Sequence, residues 1–273
     1  SKENALIYEL IQTRIKDNYK LKTTIQIEKN SLNSQSTCPT ILIKTPLLYE
    51  QIRFQGISEQ ERGRLWPLLC CIYKDSELPN ETEFDNLIEE SDKITCIQFD
   101  EIERDLKRSL PTHPLYQDEN GINKLRQVLR VFAFKHPAIG YVQGMNIITA
   151  NLLLYLSSHT ALATLECLLI DAFKEQYCDS LLGSVIDQKV FEQLLQENFP
   201  KVHLKFKQFS VQINMITISW FVCLFLSVLP TIETCSWWLD CLFLEGPLLM
   251  FKFALSVFET NSCLIEEAKD DDE

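Results

Sequence analysis

The chain has 273 residues, enough for one large or two small domains, and 46% hydrophobic residues to build a core. Its formal net charge of -12 argues against a nucleic-acid binder, because phosphate recognition depends on a Lys/Arg surplus that releases counterions. Ten cysteines lie scattered through apolar runs with no Cys-x-x-Cys, and His113, His136, His159 and His203 lack zinc spacing. The thiols therefore read as small core residues of a reducing compartment, and no metal site is expected.

In chain order, Leu6, Ile7, Leu10, Ile11 and Ile15 share one face of an amphipathic helix over residues 4–20. That helix either binds a partner or a membrane surface, or packs on its own domain or a neighbouring copy. Ser1 opens a polar stretch in place of the charged leader and apolar centre of a signal peptide, and a chain that begins at Ser and ends in the middle of a pattern is expected to be a fragment. A Ser/Asn-rich connection over 30–40 marks a boundary, dividing the chain into residues 1–44 and a domain over 45–273. Pro46 after Thr45 and the stop at Gly56 predict a short helix over 46–54. Ser58-x-x-Glu61 reads as a capping box that starts a helix carrying Arg62, Arg64 and Trp66.

An acidic stretch over 81–92 follows, and then Asp100-x-x-Glu103 predicts a capping box opening the next helix. Pro111 limits that helix, whose Ile102, Leu106 and Leu110 face inward while Asp105 and Arg108 share an edge near its end. Ile122, Leu125, Val128, Leu129 and Phe132 form the buried face of a helix over 122–136, preceded by Asn120-Gly121. Gly140 and Gly144 then let the backbone bend around Tyr141 and Gln143, before an apolar helix over 145–157. Further helices are predicted over 161–173, 187–198, 202–209, 214–229 and 236–244, with breaks at Gly183, Pro200, Pro230 and Gly246-Pro247. The run 211–232 is uncharged over a membrane-spanning length, but Gln212, Asn214, Thr217, Ser219 and Pro230 favour a buried central helix. No phosphate loop, dinucleotide fingerprint or strand alternation occurs, so the fold class is all-α.

Arg62-Gly63-x-x-Trp66, Ile102-x-x-Asp105-x-x-Arg108 and Tyr141-x-Gln143 stand in the order of the three short motifs of the TBC domain, which this chain resembles. That family comprises the all-helical catalytic domains of GTPase-activating proteins that act on Rab GTPases. The likeness runs on through Val185 to Gln188, Ile218 to Phe221 and Asp240 to Gly246, and is most similar to the subgroup whose full-length members carry GRAM domains. It covers roughly Thr45 to the C-terminus and implies that residues 45–273 lack the last helical segment of the domain. Proline commonly stands in the family where this chain has Ser58, and a capping box would start the same helix.

Residue chemistry alone reveals no nucleophile with a partnered His, no framed carboxylate pair and no ligand cluster. Arg and Gln suffice when a partner GTPase brings GTP and Mg²⁺, since hydrolysis then needs charge stabilisation and one oriented water. The resemblance implies that Arg108 is an arginine finger and Gln143 a second, glutamine finger. Asp105 would orient Arg108, and Tyr141, with Ile102, Gly140 and Gly144, would support the loop. Arg62 and Trp66 would be structural. The implied protein has no cofactor of its own, binds a GTP-bound Rab in vesicle trafficking, and is cytoplasmic, peripheral on endomembranes through its lipid-anchored partner. The competing expectation is a catalytically silent Rab-binding scaffold, against which the presence of both Arg108 and Gln143 counts.

Overall fold

A computed structural model describes residues 46–70, 81–173, 177 and 182–269. The segment over 4–20 and the connection over 30–40 lie outside the described residues. Those described form α-helices with no strand among them: α1 (Pro46–Gln55), α2 (Glu59–Cys70), α3 (Glu81–Ser91), α4 (Ile97–Leu106), α5 (Glu119–Lys135) and α6 (Met145–Leu152). There follow α7 (Ser158–Glu166), α8 (Leu182–Asn198), α9 (Pro200–Gln208), α10 (Ile213–Val222), α11 (Ile232–Glu245) and α12 (Leu248–Glu267). The protein is all-α.

Two helices organise the packing. Helix α5 turns Leu125, Val128, Leu129 and Phe132 into the interior, where α3, α4, α6 and α7 pack around it. Helix α11 buries Trp238, Leu239, Leu242 and Phe243 and reaches both sides of the molecule, touching α1 and α2 at one side and α12 at the other. Between α8, α9, α10 and α12 the filling is aromatic: Phe191 and Phe206 both pack on Phe258, and Phe221 on Phe251.

Several boundaries differ from the sequence expectation, each for a local reason. Helix α4 begins at Ile97 after Cys96, so Asp100 lies inside its first turn and does not cap it. It ends at Leu106, and Arg108 stands in the turn beyond, because Leu110 adopts a left-handed conformation (φ 49°) ahead of Pro111. Ser58 bonds the Glu61 carboxylate through its side chain (3.1 Å), a weaker arrangement than a reciprocal capping box. Helix α5 starts at Glu119 and absorbs Asn120 and Gly121, and the backbone carbonyl of Leu115 takes the space that a Cβ on Gly121 would need. Gly183 is likewise within α8, and α7 continues as a π-helical segment over Cys167–Ala172.

The uncharged run over 211–232 is not one helix. Helix α10 stops at Val222, and Leu224 (φ 49°) and Phe225 (φ 63°) turn left-handed in succession. Each such non-glycine residue costs about 1–2 kcal/mol, and this pair persists because Leu224 and Phe225 are buried on both sides. By length and composition the one candidate span among the described residues is α12, which sequence punctuation at Gly246-Pro247 did not reveal. Its Met250, Ala254 and Phe258 face inward against α8, α9 and α11.

Asp240, with no solvent exposure, joins the molecule's two ends. Its carboxylate accepts the backbone N–H of Ile57 (2.8 Å), Nε and Nη2 of Arg62 (3.1 and 3.0 Å) and the indole N–H of Trp66 (2.7 Å). Burial pushes the Asp240 carboxyl above the usual carboxylate range against the pull of these donors. The ionised form therefore persists only while its donors stay in place. Arg62 also donates to Tyr155 (3.3 Å), whose hydroxyl meets Ser236 of α11 (2.8 Å). The Arg62–Trp66 pair is thus an internal fastener between α2 and α11.

A second buried carboxylate, Glu166 at 2% exposure, closes the end of α7 against α5. Its Oε1 lies 2.7 Å from Lys135 Nζ and 2.8 Å from His136 Nε2. Burial alone would push this carboxyl up, but His136 and Lys135 together outweigh burial and hold it below the ordinary value.

Removing Arg62 leaves Asp240 buried without its counter-ion, so Arg62→Ala should lower unfolding free energy by about 3–5 kcal/mol, read as a fall in the urea midpoint. The depressed Glu166 pKa means that its stabilisation is complete above the unfolded carboxylate value and is lost as pH falls through the folded one. Unfolding midpoints taken from pH 7 downward should therefore fall more steeply with acid in wild type than in Glu166→Gln.

Candidate functional site

Phe99, Ile102 and Leu106 bury one side of α4, which leaves Asp105 at its edge and delivers the chain outward at Lys107 and Arg108. The N–H of Arg108 donates to the Asp105 carbonyl (3.1 Å), closing the turn. The guanidinium folds back onto the same residue: Nε and Nη2 lie 2.8 and 2.7 Å from Asp105 Oδ1. The Arg108 side chain is nevertheless 53% exposed, while that of Asp105 is 10% exposed. An exposed cation is held by a nearly buried anion.

The other oxygen of Asp105 accepts the Tyr141 hydroxyl at 2.6 Å. Burial first, and then the hydrogen bond to Asp105 and its charge, push the Tyr141 pKa well up, so the phenol stays a neutral donor. The Asp105 carbonyl in turn accepts Ser109 Oγ (2.8 Å) and Asn146 Nδ2 (3.4 Å), and Asn146 Nδ2 also donates to Ser109 Oγ (2.7 Å). Asn146 Oδ1 then accepts the N–H of Gly144 (3.2 Å). One connected set of hydrogen bonds thus runs from the Arg108 turn to the loop bearing Gln143. Ile102, fully buried, seats α4 beneath it.

Two glycines shape that loop. Gly140 (φ 64°) is pressed against the Gln98 side chain of α4, which occupies the place a Cβ would take. At Gly144 (φ 107°) a Cβ would meet Cys223 Sγ at 2.8 Å and Val222 Cγ1 at 3.3 Å. Both positions combine a backbone that glycine favours with no room for a side chain. The loop is therefore gripped between α4 and the end of α10, and Gln143 emerges exposed from between them.

Of the residues singled out from sequence, the structure brings Ile102, Asp105, Arg108, Gly140, Tyr141, Gln143 and Gly144 into this one region. Arg62 and Trp66 lie apart from it, on Asp240. Ser109 and Asn146 carry the link between turn and loop, and the sequence reading missed both; a buried Asn one residue past the helix start of α6 was the available signal. Asp240 was likewise legible as the lone carboxylate in the apolar run Trp237 to Leu244. Among the described residues no group of three His, Cys, Asp or Glu side chains could hold a metal ion.

A family model for the Rab-GTPase-TBC domain matches residues 59–265. TBC1 domain family member 2B of Mus musculus is 34% identical over 257 residues, which cover 89% of this chain and 25% of that protein. The chain spans a quarter or less of the length of the curated relatives it matches. Among solved structures, the Chlamydomonas flagellar RabGAP TBC domain superposes with a TM-score of 0.72 at 21% identity, covering 96% of this chain and 85% of that one. The Ypt/Rab-GAP domain of Gyp1p gives 0.65 at 20% identity, covering 91% of this chain and 88% of that one. At these identities the structural likeness speaks for the fold.

Tyr141→Phe removes one donor from the buried Asp105 carboxylate and keeps the ring. Unfolding free energy should fall by about 1.5–3 kcal/mol, the range for a hydrogen bond to a charged group, measured by urea denaturation against wild type.

Proposed function

We propose that this chain, which belongs to the Rab-GTPase-TBC domain family, accelerates GTP hydrolysis by a GTP-bound Rab through Arg108 and Gln143. The observation that carries this reading is the common mounting of the two side chains. Both are exposed, and both project from turns locked to Asp105, Tyr141 and Asn146. A pair arranged only for stability would have no reason to leave its charged and amide ends in solvent.

The division of labour follows from what each group can do. The GTPase brings nucleotide and Mg²⁺. Arg108, permanently charged and planar, leaves Asp105 and places its guanidinium on the transferring phosphoryl group, where negative charge develops. Gln143 can donate and accept at once, so it orients the attacking water. Asp105 positions Arg108 before docking, and Tyr141 keeps the carboxylate aimed after the arginine has left. No nucleophile or metal of the chain's own enters the reaction. The protein would act in vesicle trafficking, on the cytoplasmic side of endomembranes where lipid-anchored Rabs reside. The narrower likeness to the subgroup with GRAM domains rests on sequence segments alone.

Single-turnover phosphate release from a panel of GTP-loaded Rabs tests the proposal. Wild type should accelerate at least one; Arg108→Ala should lose roughly 10³- to 10⁵-fold in rate, and Arg108→Lys should fail as well for want of the planar fork. Gln143→Ala should be similarly deficient while retaining GTP-dependent binding. Binding without acceleration by wild type would instead identify a silent scaffold.

A further inference from the structure

Behind the Gln143 loop lies the turn that ends α10. Val222 and Cys223 touch the Gly144 position from below, with the contacts described above, so any shift of this turn moves the floor of the loop. The turn is an unusual floor. Leu224 and Phe225 are consecutive non-glycine residues at positive φ, and the N–H of Phe225 reaches back to the Trp220 carbonyl (2.6 Å). A helix that ends by such a reversal exposes carbonyls that its own backbone cannot satisfy in the regular way.

Two buried side chains supply donors to those carbonyls. The Tyr177 hydroxyl donates to Val222 O (2.6 Å), and the Trp238 indole donates to Leu224 O (2.7 Å). Tyr177 is 1% exposed, and burial keeps its hydroxyl neutral by pushing its pKa well up. Trp238 is also a central core residue of α11, which explains its burial without reference to the turn. Tyr177 differs, because its hydroxyl reaches the very residue that contacts Gly144. The Arg108 guanidinium is also felt at the Cys223 thiol, where it opposes the upward push of burial. The turn therefore underlies the Gln143 loop.

We infer that Tyr177 is a positioning residue for Gln143, acting through the Val222 carbonyl and the contact of Val222 and Cys223 with Gly144. The inference rests on the activating role proposed for Gln143. Its physical content is a strut: a buried hydroxyl fixes a strained turn, and the turn fixes the height of a glycine loop. Displacement of a catalytic group by about 1 Å costs on the order of 10²-fold in rate, so the strut matters to hydrolysis more than to folding.

Tyr177→Phe removes only the hydroxyl. In single-turnover titrations with this chain in excess over a responsive GTP-loaded Rab, the rate at saturation should fall roughly 10- to 100-fold while the half-saturating concentration is unchanged; a smaller folded fraction would instead raise the half-saturating concentration and leave the saturating rate intact. Amide hydrogen exchange gives an independent reading: peptides over 138–147 should exchange faster in Tyr177→Phe, with those from α3 and α5 unaltered. Val222→Ala keeps the Tyr177 bond partner but trims the contact with Gly144, and should loosen the same peptides if Tyr177→Phe proves too unstable to study. Exchange over 138–147 equal to wild type in both variants overturns the inference, as does an unchanged saturating rate for Tyr177→Phe. Failure of wild type to accelerate any Rab counts against the activating role of Gln143, whereas the exchange data decide the mechanical link by themselves.

Discussion

A carboxylate with no exposure is the constraint on which the rest of this fold rests. Asp240 sits in α11, the helix that touches both halves of the helical array, and it is tolerable there only because Ile57, Arg62 and Trp66 all converge on it. Each donor comes from a different local circumstance. Ile57 follows the left-handed Gly56 at the end of α1, while Arg62 and Trp66 stand one turn apart on α2. The charge therefore fixes not one contact but the placement of the α1–α2 junction against α11. An apolar residue there would pack without specifying which turn of α2 faces which turn of α11. A buried carboxylate specifies it, since a misregistered α2 leaves the charge unpaired in the core.

The chain uses the same pair of residue types a second time with the opposite outcome. Asp105 and Arg108 are three residues apart, close enough to pair without help from the fold, and their pairing leaves half of the arginine in water. An exposed pair of this kind is worth about 0–1 kcal/mol, whereas removing one partner of a buried pair costs about 3–5 kcal/mol because the other charge is left unpaired. Arg62 is thus locked and Arg108 is parked. The difference comes from position: Arg62 lies in the interior of a helix facing the core, and Arg108 lies just past the end of one, where Leu110 reverses the chain.

Much of this was legible in the sequence because it depends on spacing. The 3.6-residue periodicity of α5, the glycine pair around Tyr141 and Gln143, and the separation of Asp105 from Arg108 are local patterns, and the structure realises each of them. The start of α4 was misread because Asp100-x-x-Glu103 satisfies a capping template, while the real start at Ile97 follows Cys96, which carries no side-chain cap. Helix α10 was drawn too long because nothing in Cys223-Leu-Phe-Leu announces a reversal. Glycine would have marked it, and here burial enforces a left-handed conformation on Leu224 and Phe225. Partners far apart in the chain were least visible of all. Asp240 meets Arg62 from 178 residues away, and Tyr177 meets Val222 from 45.

The arrangement around Asp105 also lets Arg108 be held at rest without being locked. In the activating reading, Arg108 must exchange one anion for another when a phosphate arrives, and the exchange must not collapse the site it leaves. Asp105 meets that requirement because only Oδ1 serves Arg108, while Oδ2 holds the Tyr141 hydroxyl and the backbone carbonyl is bound by Ser109 and Asn146. When the guanidinium departs, the bonds of Asp105 to Tyr141, Ser109 and Asn146 remain, and through Asn146 they still reach Gly144. The carboxylate therefore stays put, the Gln143 loop stays in register with the turn, and the energy of docking is left to act on the phosphate instead of rebuilding the protein.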